Sequence, residues 1–279
     1  VSALLRTDIP GARRVVVKVG SSSISGENAH KIGPIVDALS VAHARGTEVV
    51  LVSSGAIATG MPFLALDERP SDLATQQAAA AVGQNMLIYR YQEALRPFGI
   101  VAGQVLLTAG DLENSTHRSN ARRAMERLLG LRILPIVNEN DTVATHEIRF
   151  GDNDRLAALV AQLIGADALV LLSDIECLYT RPPGEPGARP ITDVEVGDDL
   201  RGYEFGSVVV NSVGTGGAAT KASAARLAAT AGVGVLVTSA DLVGPALDGA
   251  PVGTWFHPDP APRPTSMTGS VRAVDRLKG

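Results

Sequence analysis

Short apolar runs rich in valine alternate along the chain with stretches of helical periodicity. Residues 15–19, 48–52, 101–107, 133–137, 169–172 and 233–237 are nearly continuous in apolar side chains, a pattern that suits strands buried on both faces. Between them lie helix candidates at 29–44, 71–95, 118–129, 153–164 and 218–231. Leu156, Leu159, Val160 and Leu163 recur at helical spacing, giving 153–164 one apolar face and leaving its N-terminus for chemistry. Gly46, Gly130, Gly165 and Gly232 stand where left-handed C-terminal caps are expected. Strand alternating with helix predicts an α/β fold, a three-layer α/β/α sandwich around a mostly parallel sheet. In such sheets ligands collect at the C-terminal ends of the strands. The Pro- and Gly-rich stretch 181–190 reads as a surface loop, and 257–264 as the end of the compact domain.

Composition narrows the class of partner. With 279 residues, 45% of them hydrophobic and 19% charged, the chain can bury a large core, and one or two lobes are expected. A formal net charge of −4 gives no basic surface for nucleic acid or anionic membrane, so small molecules are the expected partners. The most apolar region, 156–172, is broken by Gln162, Gly165 and Asp167 and reads as helix, turn and strand rather than a membrane span. The single Cys177 cannot form an internal disulfide, which fits a reducing, cytoplasmic setting.

Only four of the 25 basic residues are lysines, and two of these, Lys18 and Lys221, lie in the two most glycine-rich turns. Where arginine has replaced nearly every lysine, a retained lysine marks a place for a compact, rotatable ammonium rather than a planar fork. Phosphoryl transfer is such a need. Lys18 ends the first strand beside Gly20-Ser21-Ser22-Ser23, a loop of amides and hydroxyls, and the second strand runs into Ser53-Ser54-Gly55-Ala56. Residues 214–221, Gly-Thr-Gly-Gly-Ala-Ala-Thr-Lys, lead into an alanine-rich helix but match neither the P-loop nor the dinucleotide fingerprint; a flexible linker is the plain alternative. Between these turns stand Asn138-Glu139-Asn140-Asp141 and Gly151-Asp152-Asn153-Asp154. Asp152 taken alone reads as a helix cap, while the two clusters together could receive an amino-acid ammonium group and orient cationic side chains. The five histidines lack zinc spacing, so no metal-ligating residue is assigned; any metal is magnesium brought with a nucleotide.

Taken together, residues 17–20, 52–58, 137–145, 151–154, 171–174 and 214–221 resemble the amino-acid kinase family, and within it the branch acting on glutamate. The resemblance covers residues 13–256. It implies transfer of phosphate from ATP, with Mg2+, to the side-chain carboxylate of L-glutamate, the step that begins proline synthesis. It implies that Lys18 and Lys221 clamp the phosphoryl group and that Asp154 orients them. Ser54, Asp141 and Asn153 match the glutamate site; Ser173, Asp174, Thr215, Gly216, Gly217, Ala218, Ala219, Thr220 and Lys221, with Lys18, match the ATP site. Residues 1–256 would form the kinase domain, with a glutamate-binding lobe over about 13–165 and a nucleotide-binding lobe over about 166–256. The tail 257–279 is too short for the PUA domain that many members carry. Ala218 and Cys177 depart from the methionine and glycine usual at those places. Further implications are a homo-oligomer, dimer or tetramer, and delivery of the labile acyl phosphate to a glutamyl phosphate reductase. Two other readings remain open: a member acting on N-acetylglutamate, aspartate or carbamate, and a non-catalytic sensor retaining the fold.

Overall fold

The structure is a computed structural model and describes residues 4–144, 153–205 and 217–262. Its first half contains β1 (Arg14–Lys18), α1 (Ile32–Ala44), β2 (Glu48–Val52), α2 (Ala56–Gly60), α3 (Leu73–Leu95), β3 (Ala102–Leu107), α4 (Ala109–Glu113), α5 (Ser115–Gly130) and β4 (Leu134–Glu139). The second half contains α6 (Asn153–Ile164), β5 (Ala168–Ser173), β6 (Leu178–Tyr179), β7 (Pro190–Ile191), β8 (Asp193–Val194), α7 (Ala218–Ala229), β9 (Gly234–Ser239), α8 (Val243–Leu247) and β10 (Thr254–Phe256). One eight-stranded sheet runs in the order β3-β4-β2-β1-β5-β9-β10-β8, and β6 pairs with β7 apart from it. Every neighbouring pair in the large sheet is parallel except β9 and β10.

The valine runs form the middle of the sheet because both of their faces are covered. Val15 and Val17 of β1 point into a core shared with Leu39 of α1, Tyr91 of α3 and Leu247 of α8. Val16 points the other way, into a core shared with Met125 of α5, Leu156 of α6 and Ala225 of α7. This alternation along one strand gives the three layers. Each fully buried Val or Leu contributes about 1.5–3 kcal/mol relative to exposure, so the two cores fix the strand ends firmly.

Caps explain where the helices depart from their periodicity. The Asp72 carboxylate accepts from the Thr75 amide at 2.8 Å and starts α3 at Leu73. Asn114 accepts from the Thr116 and His117 amides, so α5 begins at Ser115, before the apolar pattern does. Gly46, Gly165 and Gly232 have positive φ as expected, but Gly130 does not. Helix α5 continues through Gly130, and the left-handed residue is Arg132, with φ 59°. The Arg132 guanidinium donates to the carbonyls of His43, Gly46 and Thr47 at the end of α1, which offsets the strain of that conformation. Segment 257–262 follows β10, and the earlier part of the 181–190 stretch is an exposed loop that leads into β7.

Helices α2 and α3 touch backbone to backbone. A Cβ on Gly83 would sit 1.7 Å from the Ala56 carbonyl oxygen, and one on Gly60 would sit 1.9 Å from that of Ala79. Only glycine fits either place. This crossing fixes α3 against the turn that follows β2.

Candidate active site

The C-terminal ends of β1, β2, β4 and β5 lie side by side, since these strands are parallel and adjacent in the sheet. Lys18 is the last residue of β1, with a side chain 5% exposed. Asp154 lies in the first turn of α6 and is completely buried. Lys221 lies in the first turns of α7, and α6 and α7 pack together, with Gln162 donating to the Leu227 carbonyl at 2.8 Å. The packing brings the three charges into contact: Lys18 Nζ is 2.5 Å from Asp154 Oδ1, and Lys221 Nζ is 3.0 Å from Oδ2. Burial pushes the Asp154 pKa up, but the two ammonium groups outweigh it, and the carboxyl is held below its ordinary range. Among the described residues the centre therefore brings two cations onto one anion, in a dry surrounding.

Beside it is a network of amides. Asn153 Nδ2 faces the Ser53 carbonyl at 2.8 Å, Ser54 Oγ at 2.9 Å and Asn138 Oδ1 at 3.0 Å. Ser54 and Asn153 thus meet. Asp141 lies three residues beyond Asn138, half-buried in the turn after β4. That turn is held by the Asn140 amide donating to the Leu107 carbonyl and by Gln77 Nε2 reaching the Ala144 carbonyl. Gly55, with φ 89°, begins α2 directly after Ser54.

The third group of residues surrounds β5. Ser173 ends the strand, and Asp174 follows it; its carboxylate accepts from the Ser22 hydroxyl at 3.0 Å and from Ser23 at 3.3 Å. The glycine-serine loop after β1 is thereby tied to the β5 end. Gly217 is the N-cap of α7, and Ala218, Ala219, Thr220 and Lys221 form the start of that helix. The Thr220 hydroxyl accepts from the Gly217 amide at 2.9 Å and donates to its carbonyl, so it is engaged in the cap. Thr215 and Gly216 of the expected ATP site, and Asp152 of the acidic cluster, lie outside the described residues. Cys177 is half-buried in the loop after β5; burial, more than any other influence, raises its thiol pKa.

Residues 13–239 match the sequence profile of the amino acid kinase family. The chain belongs to the amino acid kinase family. A glutamate 5-kinase from Clavibacter sepedonicus is 73% identical over 253 residues, which span 91% of this chain and 97% of the relative. Another from Salinispora arenicola is 55% identical over 260 residues, 92% of this chain and 70% of the longer relative. Among solved structures, carbamate kinase from Giardia lamblia bound to AMP-PNP superposes with a TM-score of 0.65 at 16% identity, covering 90% of this chain and all of that one. The T. acidophilum isopentenyl phosphate kinase product complex gives 0.59, also at 16% identity, over 87% of this chain and 99% of that one. At these identities the likeness is one of fold, and the amino-acid kinase fold is what this chain adopts.

Several residues at this site carry little or no signal in the sequence. Asn138 has no role of its own in the sequence pattern beyond its membership of the Asn138–Asp141 cluster, yet it is 1% exposed and bonded to Asn153. A polar residue following Ile136 and Val137 inside a buried strand was the available signal. Ser22 and Ser23 as anchors for Asp174, and Gln84 behind Asn138, had no signal in spacing.

Proposed function

We propose that this protein is an ATP-dependent glutamate 5-kinase, transferring the γ-phosphoryl group of ATP to the side-chain carboxylate of L-glutamate in the opening step of proline synthesis. The observation that carries this reading is the alignment at 73% identity with a glutamate 5-kinase over 97% of that relative's length. The charged centre supports it. A side-chain carboxylate, with an ordinary pKa of about 4.3, is already ionised at neutral pH, so no general base is needed. What the reaction needs is alignment and neutralisation of charge. Lys18 and Lys221, held by Asp154, would face the transferring phosphoryl group, where two ammonium groups stabilise the charge on its equatorial oxygens.

In this reading Ser54, Asp141 and Asn153 receive glutamate, Asp141 pairing with its ammonium group. Ser173, Asp174 and residues 215–221 receive ATP at the start of α7, where free amides suit an anion. Residues 13–165 would form the glutamate lobe and 166–256 the nucleotide lobe, the phosphoryl group passing between them. The described residues contain no group of three or more His, Cys, Asp or Glu able to hold a metal, and the Asp154 oxygens face lysines. The residues at hand thus do not cage Mg2+, and it fits here only as a companion of the nucleotide phosphates.

The reading extends to a cytoplasmic homo-oligomer, dimer or tetramer, that passes its labile product to a glutamyl phosphate reductase. No helix among the described residues is long and apolar enough to cross a membrane. ADP release measured against L-glutamate, N-acetylglutamate, L-aspartate and carbamate tests the acceptor. L-glutamate is expected to give the highest kcat/KM; equal or better turnover of N-acetylglutamate would show that the free ammonium group is not recognised.

A further inference from the structure

The amide network beside the charged centre rests on a residue that no motif contains. Gln84 lies on α3, next to Gly83, whose contact with the Ala56 carbonyl seats the helix against the turn carrying Ser54. It is 8% exposed. Its Oε1 accepts from Asn138 Nδ2 at 2.7 Å, while its own Nε2 is buried with no hydrogen-bond partner among the described residues. Asn138 Oδ1 then faces the other way and accepts from the Glu139 amide at 2.9 Å and from Asn153 Nδ2 at 3.0 Å.

We propose that Gln84 is a positioning residue of the acceptor site, acting through Asn138 to hold the Asn153 amide in place with its Oδ1 toward the substrate. Asn153 Nδ2 has two hydrogens and three acceptors around it, the Ser53 carbonyl, Ser54 Oγ and Asn138 Oδ1. Its nitrogen is therefore fully engaged, and in this proposal its Oδ1 is the end that accepts from a ligand. An ammonium group needs such an acceptor. If Asn138 turned over, its NH2 would oppose the Asn153 NH2 and the Glu139 N–H, and Asn153, still donating to the Ser53 carbonyl, would be pushed away from Asn138 and out of the position in which its Oδ1 meets the substrate ammonium.

The unpaired Nε2 of Gln84 supports this account. A buried donor without a partner is unfavourable, yet rotating the Gln84 amide would set its NH2 against that of Asn138. The side chain keeps the orientation that satisfies Asn138 and leaves its second donor unpaired. The bond to Asn138 is the one being preserved.

The inference rests on the glutamate-site reading above, and the experiment separates the two. Steady-state kinetics with L-glutamate and ATP are measured for wild type, Gln84→Met and Gln84→Glu, alongside thermal melting. Met matches the length of Gln but accepts no hydrogen bond of comparable strength; Glu retains an acceptor for Asn138. Gln84→Met is expected to raise KM for glutamate about five- to tenfold, the effect of one lost hydrogen bond, with KM for ATP unchanged. Gln84→Glu is expected to return the glutamate KM toward the wild-type value. If Gln84→Met does not fold, Gln84→Asn, whose amide is one methylene too short to reach Asn138, takes its place. An unchanged glutamate KM, a parallel rise in both KM values, or a Glu variant as impaired as the Met variant overturns the proposal. A wild-type protein that does not turn over glutamate overturns the functional reading and this inference with it.

Discussion

Asp154→Asn is the perturbation that separates what the buried carboxylate does for the fold from what it does for catalysis. In the wild type its two oxygens contact Lys18 Nζ and Lys221 Nζ at 2.5 and 3.0 Å, and none of the three side chains is more than 8% exposed. At an effective dielectric constant of about 20, contacts of this length each carry roughly 6 kcal/mol of gross attraction. Most of that is consumed by desolvation. Removing one partner of such a buried pair costs about 3–5 kcal/mol, because the remaining charges are left uncompensated. For a chain of this size that is a fall in Tm of roughly 10 °C. The kinetic signature differs in kind. The amide no longer holds the lysines, so kcat should fall about a hundred- to a thousandfold, as for loss of a preorganised electrostatic contact. KM for ATP should not rise, since removing an anion beside the phosphates reduces repulsion. The acid limb gives an independent check. The Asp154 pKa is lowered in the folded state from a reference of 3.8, so its stabilisation is present above that reference and lost as pH falls through the folded value. The gap in stability between wild type and Asp154→Asn should therefore narrow below about pH 4. An Asp154→Asn enzyme that kept kcat and lost ATP affinity would refute the reasoning.

Lys221→Arg and Lys18→Arg should each lose about a hundred- to a thousandfold in kcat, because a planar guanidinium cannot replace a point charge at the phosphoryl oxygens. Near wild-type turnover in either, with an unchanged melting curve, would remove the argument from lysine scarcity at that position. Asp141→Ala should raise KM for glutamate about ten- to a hundredfold through loss of a charged hydrogen bond, and leave KM for ATP nearly constant; equal rises in both would contradict the assignment. Gly83→Ala should lower the urea midpoint by the equivalent of about 3 kcal/mol, since its Cβ would enter the Ala56 carbonyl and force α2 and α3 apart. An unshifted midpoint would show that the crossing yields easily.

The sheet was legible because β1, β2, β4, β5 and β9 are buried on both faces and so appear as unbroken apolar runs. The elements that escaped, α2, α4, α8 and the two- and three-residue strands, are too short to show a period. Gly130 misled because a glycine near a helix end permits a left-handed cap without requiring one; the guanidinium of Arg132 made the next available residue but one the better choice. Lys18 and Lys221 stood out by rarity, and Asp154 by its motif. Gln84 and Asn138 are 54 positions apart, and a hydrogen bond between two uncharged amides at that separation leaves no trace in spacing or composition.

The central claim is that this chain makes an acyl phosphate on the side chain of L-glutamate. Incubation with ATP, Mg2+, L-glutamate and hydroxylamine, followed by mass analysis of the trapped hydroxamate, reads that product directly. The account predicts γ-glutamyl hydroxamate formed in step with ADP, and formed about a hundred- to a thousandfold more slowly when Asp154→Asn replaces the wild type at the same concentration. ADP release without hydroxamate, or hydroxamate formed equally well by the variant, would contradict it.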